Sequence, residues 1–208
     1  MARFTGPVCR LCRRSGEKLM LKGDRCAGPK CGIERRAKPP GPHAVTRRRL
    51  SDRGIQLREK QRAKYIYGLF ERQFKQFFRR AERKTGVTGQ NLLVLLERRL
   101  DNIVYRLGFA DSHAQARQLV GHGHIMVNEH RTDVPSYVVN EGDTISWSQG
   151  STKTEYFKTL QESIKAKTVP TWLDLDREHL VGKVVSLPRP EDIEAKFQVK
   201  SIVEYYSR

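Results

Sequence analysis

Between Gly89 and Trp147 the chain carries its densest apolar pattern, and that pattern admits few folds. Leu92, Leu96, Leu100, Ile103, Val104 and Leu107 recur at three- and four-residue spacing, which predicts one helix over 91–107 with a buried face. Gly108 follows the last periodic residue, where a left-handed cap is wanted. Ser112 with Gln115 three residues on has the pattern of a capping box, and it predicts a second helix with the apolar stripe Ala116, Leu119 and Val120. Gly121 and Gly123 break that helix. Ile125-Met126-Val127 reads as a strand and Asn128-Glu129 as a turn, with further short strands at 134–139 and 144–147 around a turn at 140–143.

Charge divides the chain at the start of this stretch. The formal net charge is +17, and residues 1–88 hold 25 Lys+Arg against 7 Asp+Glu, whereas 89–208 hold 15 against 16. All of the positive excess therefore lies in the first part, which points to a polyanionic partner, nucleic acid in preference to a membrane. Such an imbalance exceeds what solubility requires. No apolar run approaches the roughly 18 residues of a membrane span, and no apolar region follows the basic start as in a signal peptide, so a cytosolic setting is expected.

Residues 1–46 show little helical or strand periodicity but contain Cys9-Arg10-Leu11-Cys12 and Cys26-Ala27-Gly28-Pro29-Lys30-Cys31. Thiolates so spaced can converge on one ion from two tight turns, Gly28-Pro29 supplying the second. Four soft ligands suit one tetrahedral, structural zinc held by Cys9, Cys12, Cys26 and Cys31. An iron–sulfur cluster takes the same ligand set, and two disulfides or four free thiols are the remaining alternatives. A reducing compartment argues against the disulfides.

After the extended, proline-rich linker 36–44 comes Arg47-Arg48-Arg49, then Ser51-Asp52 as the N-cap of a helix running to about Tyr67. A second helix spans 71–81, with Phe70, Phe74, Phe77, Phe78 and Ala81 as its buried stripe and Gly86 ending it. Beyond the central stretch, 155–167 reads as polar loop plus a short helix, and 172–176 and 183–188 as strands. Walker and dinucleotide loops, a Gly-x-Ser-x-Gly elbow and a His-Glu-x-x-His helix are all missing, so an enzyme is not expected. His113, His122, His124 and His130 lack ligand spacing and read as polar surface.

The segments 96–109 (Leu-Glu-Arg-Arg-Leu-Asp-Asn-Ile-Val-Tyr-Arg-Leu-Gly-Phe), 115–120 (Gln-Ala-Arg-Gln-Leu-Val) and 122–125 (His-Gly-His-Ile) resemble the family of bacterial small-subunit ribosomal protein four. The same RNA-binding module recurs in pseudouridine synthases, tyrosyl-tRNA synthetases and a ribosome-rescue heat-shock protein. Gln56–Arg62 and the last eight residues carry the likeness to the ribosomal family across the flanks. The resemblance implies an α+β fold in which 188–208 returns to pack on the helices of 47–88. The chain would then be a discontinuous helical domain with an inserted α/β domain, 89–187, whose RNA-binding module is 89–150. Residues 1–46 would be an irregular, metal-stapled basic arm; some members of the family carry such a cysteine set and others lack it.

By function, the resemblance implies a structural protein of the small ribosomal subunit, in the cytoplasm. It would bind early to the 5′ domain of the small-subunit rRNA, nucleate assembly, touch ribosomal protein five and other small-subunit proteins, lie near the mRNA entry channel and influence decoding accuracy. Arg47, Arg48, Arg49, Arg58, Lys60, Arg62, Arg72, Arg79, Arg80 and Arg83 are the expected phosphate contacts of the basic helices. Ser112, Gln115, Arg117, His122 and His124 are those of the module. The family usually shows an aromatic before the linker prolines, a Ser at position 70 and more basic residues in the module; Lys38, Phe70, His113, Ala114, Gly121, Glu129 and His130 depart from this. With 5 Lys+Arg against 7 Asp+Glu over 89–150, the module is expected to act as a shape-fitting wedge, its histidines tightening binding as pH falls from about 7.5 to 6. The competing class is a zinc-containing DNA-binding regulator, which would need a dimer interface or a base-reading helix.

Overall fold

A computed structural model describes residues 4–41, 50–193 and 195–207. The Arg47-Arg48-Arg49 run lies outside the described residues. The chain forms two compact units, Met1–Leu92 with Glu194–Arg208, and Leu93–Ile193.

The first unit begins with three short helices, α1 (Cys9–Ser15), α2 (Asp24–Ala27) and α3 (Gly32–Arg35). The arm is therefore not irregular. Helices of four to seven residues are too short to leave a periodic apolar stripe, which is why the sequence hides them. Cys12, Leu19, Cys26 and Cys31 are buried among them.

Helix α4 (Asp52–Ile66) starts at Ser51, whose Oγ accepts the Gly54 N–H at 3.2 Å. Helix α5 (Glu71–Glu82) starts at Phe70 with no side-chain cap, and Phe70 is exposed instead of joining the buried stripe. As the residue before the first turn it lies off the face that Phe74, Phe77, Phe78 and Ala81 bury. Helix α6 (Thr88–Glu97) begins in this unit.

The chain's last helix, α10 (Val199–Tyr206), packs on α4. Gln56 Nε2 donates to Glu204 at 3.0 Å, and Glu59 accepts the Gln198 N–H at 2.8 Å. Tyr206 stacks on Phe74 and Phe78 with centroids 6.3 and 4.6 Å away.

In the second unit the helix expected over 91–107 is two helices, α6 and α7 (Leu100–Arg106). Arg99 leaves helical geometry (ψ 137°) and forms a β-bridge with Val138. Its side chain is fully buried. The expected strand at 134–139 is a strap with a turn at Pro135-Ser136: the C=O groups of Pro135 and Tyr137 accept the N–H groups of Asp101 and Leu100, and the Val139 N–H donates to the Arg98 C=O. Orphan donors at the start of α7 take the bonds that a ladder would have used.

Helix α8 (His113–Gly121) has Ser112 as its cap, the Oγ accepting the Gln115 N–H at 3.3 Å. Gln115 reaches back to the amide of Asp111, one residue before the position a capping box uses. The strands are β1 (Ile125–Val127), β2 (His130–Arg131), β3 (Thr144–Trp147), β4 (Leu173–Asp176) and β5 (Val181–Val184), with α9 (Glu155–Ser163) between β3 and β4. They make one antiparallel sheet in the order β2-β1-β3-β5-β4. Asn128 and Glu129 both have positive φ (49° and 66°), as a two-residue hairpin requires.

Ile125 faces Trp147 and Val127 faces Ile145, so alternate residues enter one core with Leu100, Ile103, Leu107 and Ala116. Strand β5 begins two residues before the expected run. Gly182 is needed where the strand meets Leu107: a Cβ there would fall 2.4 Å from a Leu107 methyl carbon. Among the described residues no helix is long and apolar enough to cross a membrane.

Candidate nucleic-acid interface

At 3.6 residues per turn, Arg72, Arg79 and Arg83 fall on one stripe of α5, with Arg80 beside it, across from the buried phenylalanines. All four arginines are exposed, as are Lys75 on the same side of the helix, Lys84 just past its end and Arg58 on α4. Sequence reasoning passed over Lys75, although its spacing from Arg72 and Arg79 puts it on that face. A row of cations on a rigid helix suits successive phosphates of folded RNA, because it neutralises charge without needing a particular base.

Lys60 does not join this row. It is buried at 4% exposure, donates to Glu71 at 2.6 Å and lies 4.6 Å from the Tyr205 ring centroid. Burial by itself would raise the Glu71 carboxyl, but the bonds from Lys60 and the Tyr206 hydroxyl outweigh it and hold Glu71 below its ordinary value. Arg62 is likewise turned inward, to Glu59, to Glu17 at 2.7 Å and to the Ser15 C=O at 3.2 Å. It ties the cysteine arm to α4. Both residues were expected as phosphate contacts, and the structure uses their charges as internal struts.

Arg117 is corrected in the same way. It is 9% exposed and donates to Asp101 at 3.1 Å, while Arg99 grips the same carboxylate at 3.0 and 2.6 Å. Beside this triad, Glu97 accepts from Arg106 at 2.9 and 2.7 Å and from Asn102 at 2.6 Å. Of the five Lys+Arg of the module, then, Arg99 and Arg117 serve its interior. Ser112 and Gln115 are engaged in capping α8.

His122 is exposed and His124 half-buried, their ring centroids 6.0 Å apart. Arg131, which the sequence reading did not single out, lies beside them: its Nη2 donates to the His122 C=O at 3.2 Å, and its guanidinium covers Gly123. The loop after α8 therefore presents two imidazoles and one guanidinium together. A basic residue in the second strand of a two-residue hairpin was the available signal for it.

The surroundings of His124 and His113 work against the expected pH response of the module. Burial, followed by the neighbouring His122 and then Arg131, lowers the pKa of His124. His113 stacks on Tyr105 with centroids 4.1 Å apart, and desolvation takes its pKa down to about 4 against the opposing pull of Glu97. A depressed histidine binds its proton more readily when the chain is unfolded, so native stability contributed by neutral His113 is complete above pH 6.5 and is lost as pH falls towards about 4. Replacing His113 with glutamine should flatten the stability-against-pH curve of the second unit in that window, read from urea unfolding at a series of pH values. An unchanged curve would show that His113 stays accessible to protons in the native state.

In the arm, the four cysteines are free of disulfides. Burial raises the pKa of Cys12, with smaller contributions from Cys26, Cys9 and Cys31, so all four thiols lie in one neighbourhood. The Lys22 N–H points at the Cys26 sulfur at 3.3 Å, and Gly32 lets the chain pass close to Cys9, whose Sγ would be 3.2 Å from an added Cβ. The donor chemistry fits a soft tetrahedral ion. Yet among the described residues no three of His, Cys, Asp and Glu are spaced to hold a metal ion as they stand.

Comparison with known proteins places both units. Residues 3–97 match the model of the ribosomal protein S4/S9 N-terminal domain, and residues 98–145 match the S4 domain. The small ribosomal subunit protein uS4 of Dehalococcoides mccartyi is 58% identical over 208 residues, covering the whole of both chains. The proteins of the same name from Syntrophomonas wolfei and Halothermothrix orenii are each 54% identical, again over the whole length of both. With two family models meeting end to end and full-length identity above half, the chain belongs to the small ribosomal subunit protein uS4 family.

Proposed function

We propose that this chain is a structural, non-catalytic protein of the small ribosomal subunit that binds its rRNA and works in the cytoplasmic ribosome. One observation carries the reading: an exposed arginine row on α5 stands opposite an aromatic core, in a unit that holds all the chain's positive excess. The second unit, near neutral and internally paired, adds shape more than charge. The finer reading rests on the family resemblance. Its target is the 5′ domain, bound early enough to nucleate assembly, with ribosomal protein five as a neighbour, the mRNA entry channel close by and an effect on decoding accuracy.

A DNA-binding regulator is not supported, since the family matches are to a ribosomal domain and an S4 domain. The test is a salt-matched comparison of a 5′-domain rRNA transcript with duplex DNA. The transcript should bind at least a hundredfold more tightly, in line with the usual gap between specific and non-specific complexes. Equal affinities would defeat the reading.

The arm is assigned one structural zinc on Cys9, Cys12, Cys26 and Cys31, with an iron–sulfur cluster as the competing group. Four free thiols in the arm, three of them buried, support this. When bound, the ion would cross-link α1 to the segments around α2 and α3. Protein purified under reducing conditions should contain one equivalent of zinc by elemental analysis, and replacing Cys9 and Cys12 with serine should release it while both units stay folded. Metal content well below stoichiometry would reject the assignment.

A further inference from the structure

His124 is held from behind by a turn that no RNA-binding role has yet included. The Ser148 N–H donates to the His124 C=O at 2.9 Å, the Ser151 Oγ lies 2.8 Å from His124 Nδ1, and the two serine oxygens are 2.7 Å apart. Ser151 is 5% exposed and fixed at both ends. Its N–H donates to the Ser148 C=O at 2.8 Å, and its own C=O accepts the Thr154 Oγ–H at 2.7 Å. A buried hydroxyl so constrained has no water to turn to, so its bond to the ring is obligatory.

On the other side of the loop stand His122 and the Arg131 guanidinium, the charged or titratable groups nearest His124; the turn 148–151 contributes only uncharged groups. We infer that the Ser148–Ser151 hydroxyl pair is a positioning device that holds His124 with its proton on Nε2, so that an uncharged ring offers an N–H donor to an RNA phosphate beside Arg131. The relay runs Ser148 O–H to Ser151 Oγ, then Ser151 O–H to His124 Nδ1. The reverse direction would put the proton on Nδ1 and turn the lone pair of Nε2 toward the phosphate, repelling it. A proton on Nε2 is also the intrinsic preference of neutral histidine. The lowered pKa of His124 keeps the ring neutral near pH 7.5, so it contributes a directed bond and releases no counterion.

The phosphate half of this inference rests on the rRNA-binding reading; the tautomer half does not. The test uses the full-length chain with nitrogen-15 histidine. Ring nitrogen shifts should show His124 protonated on Nε2 at pH 7.5. Ser151→Ala should give a tautomer mixture, and Ser151→Thr should restore the Nε2 form. Ser148→Ala, which leaves the buried position intact, should produce a partial shift. Ser151→Ala and His124→Ala should each weaken binding to a 5′-domain transcript about tenfold, with no change in salt slope and no further loss when combined. A proton on Nδ1, or a tautomer indifferent to Ser151, overturns the positioning role. A shifted tautomer with unchanged affinity overturns the phosphate contact. Failure of the unmodified chain to bind the transcript would count against the rRNA reading, and the ring shifts would still decide the positioning role.

Discussion

Replacing Asp101 with alanine should destabilise the second unit by about 3–5 kcal/mol, the cost of stripping the counter-charge from a buried ion pair. Asp101 is 5% exposed and is the shared acceptor of Arg99, which is fully buried, and of Arg117. Without it two guanidinium groups confront each other away from water, and a low dielectric magnifies their repulsion. Asp101→Asn, which keeps the shape and removes the charge, should be nearly as damaging. The measurement is clean because the chain has only two tryptophans, Trp147 and Trp172, both buried in this unit. Their fluorescence during urea unfolding reports on the second unit alone. A loss below about 1 kcal/mol, the scale of an exposed pair, would mean that the triad is solvated in solution.

Replacing Arg72, Arg79, Arg80 and Arg83 together with glutamine should flatten the dependence of log affinity on log salt by about three units, at roughly 0.7–0.9 per neutralised phosphate. Folding should be little affected, since Arg72, Arg79 and Arg83 lie on the face opposite Phe74, Phe77 and Phe78 and Arg80 contributes only an exposed contact over the Phe77 ring. Lys60→Met should do the opposite. It removes a buried cation that pairs with Glu71, and so should lower stability while leaving the salt slope alone. If the fourfold variant keeps the original slope, the arginine row does not touch RNA. If Lys60→Met flattens the slope, its ammonium reaches solvent when RNA is bound.

The contrast between those two substitutions marks where sequence reading was sufficient and where it was not. Ser51 and Ser112 could be read as caps because a cap depends on residues three positions away. The turn at Asn128-Glu129 and the left-handed Gly108 (φ 79°) are equally local. The α5 stripe could be read because Phe74, Phe77, Phe78 and Ala81 repeat with the helix period. The short helices of the arm could not, because four to seven residues complete too few turns to show a period.

The sequence by itself determined the order of most elements, the two apolar cores and the family, because these are set by period, by turn chemistry and by motifs contiguous in the chain. It determined also that the positive charge belongs to residues 1–88. Only the tertiary structure decided which charges face outward. Arg99 stands in an amphipathic pattern as a polar residue, yet the helix breaks there and the side chain goes fully inside, where the Asp101 carboxylate accepts it while the strap carbonyls of Pro135 and Tyr137 take the next two backbone N–H groups. Arg62 repeats with the exposed Arg58 of α4, and Lys60 falls on the stripe that buries Gln56 and Ala63; Glu17 and Glu59 draw in the one and Glu71 pairs with the other. Burial of these charges depends on where the chain bends and on which partners it brings close: the break before α7 turns Arg99 inward beside Asp101, and Glu71 and Glu17 arrive from outside α4, and helical spacing records neither.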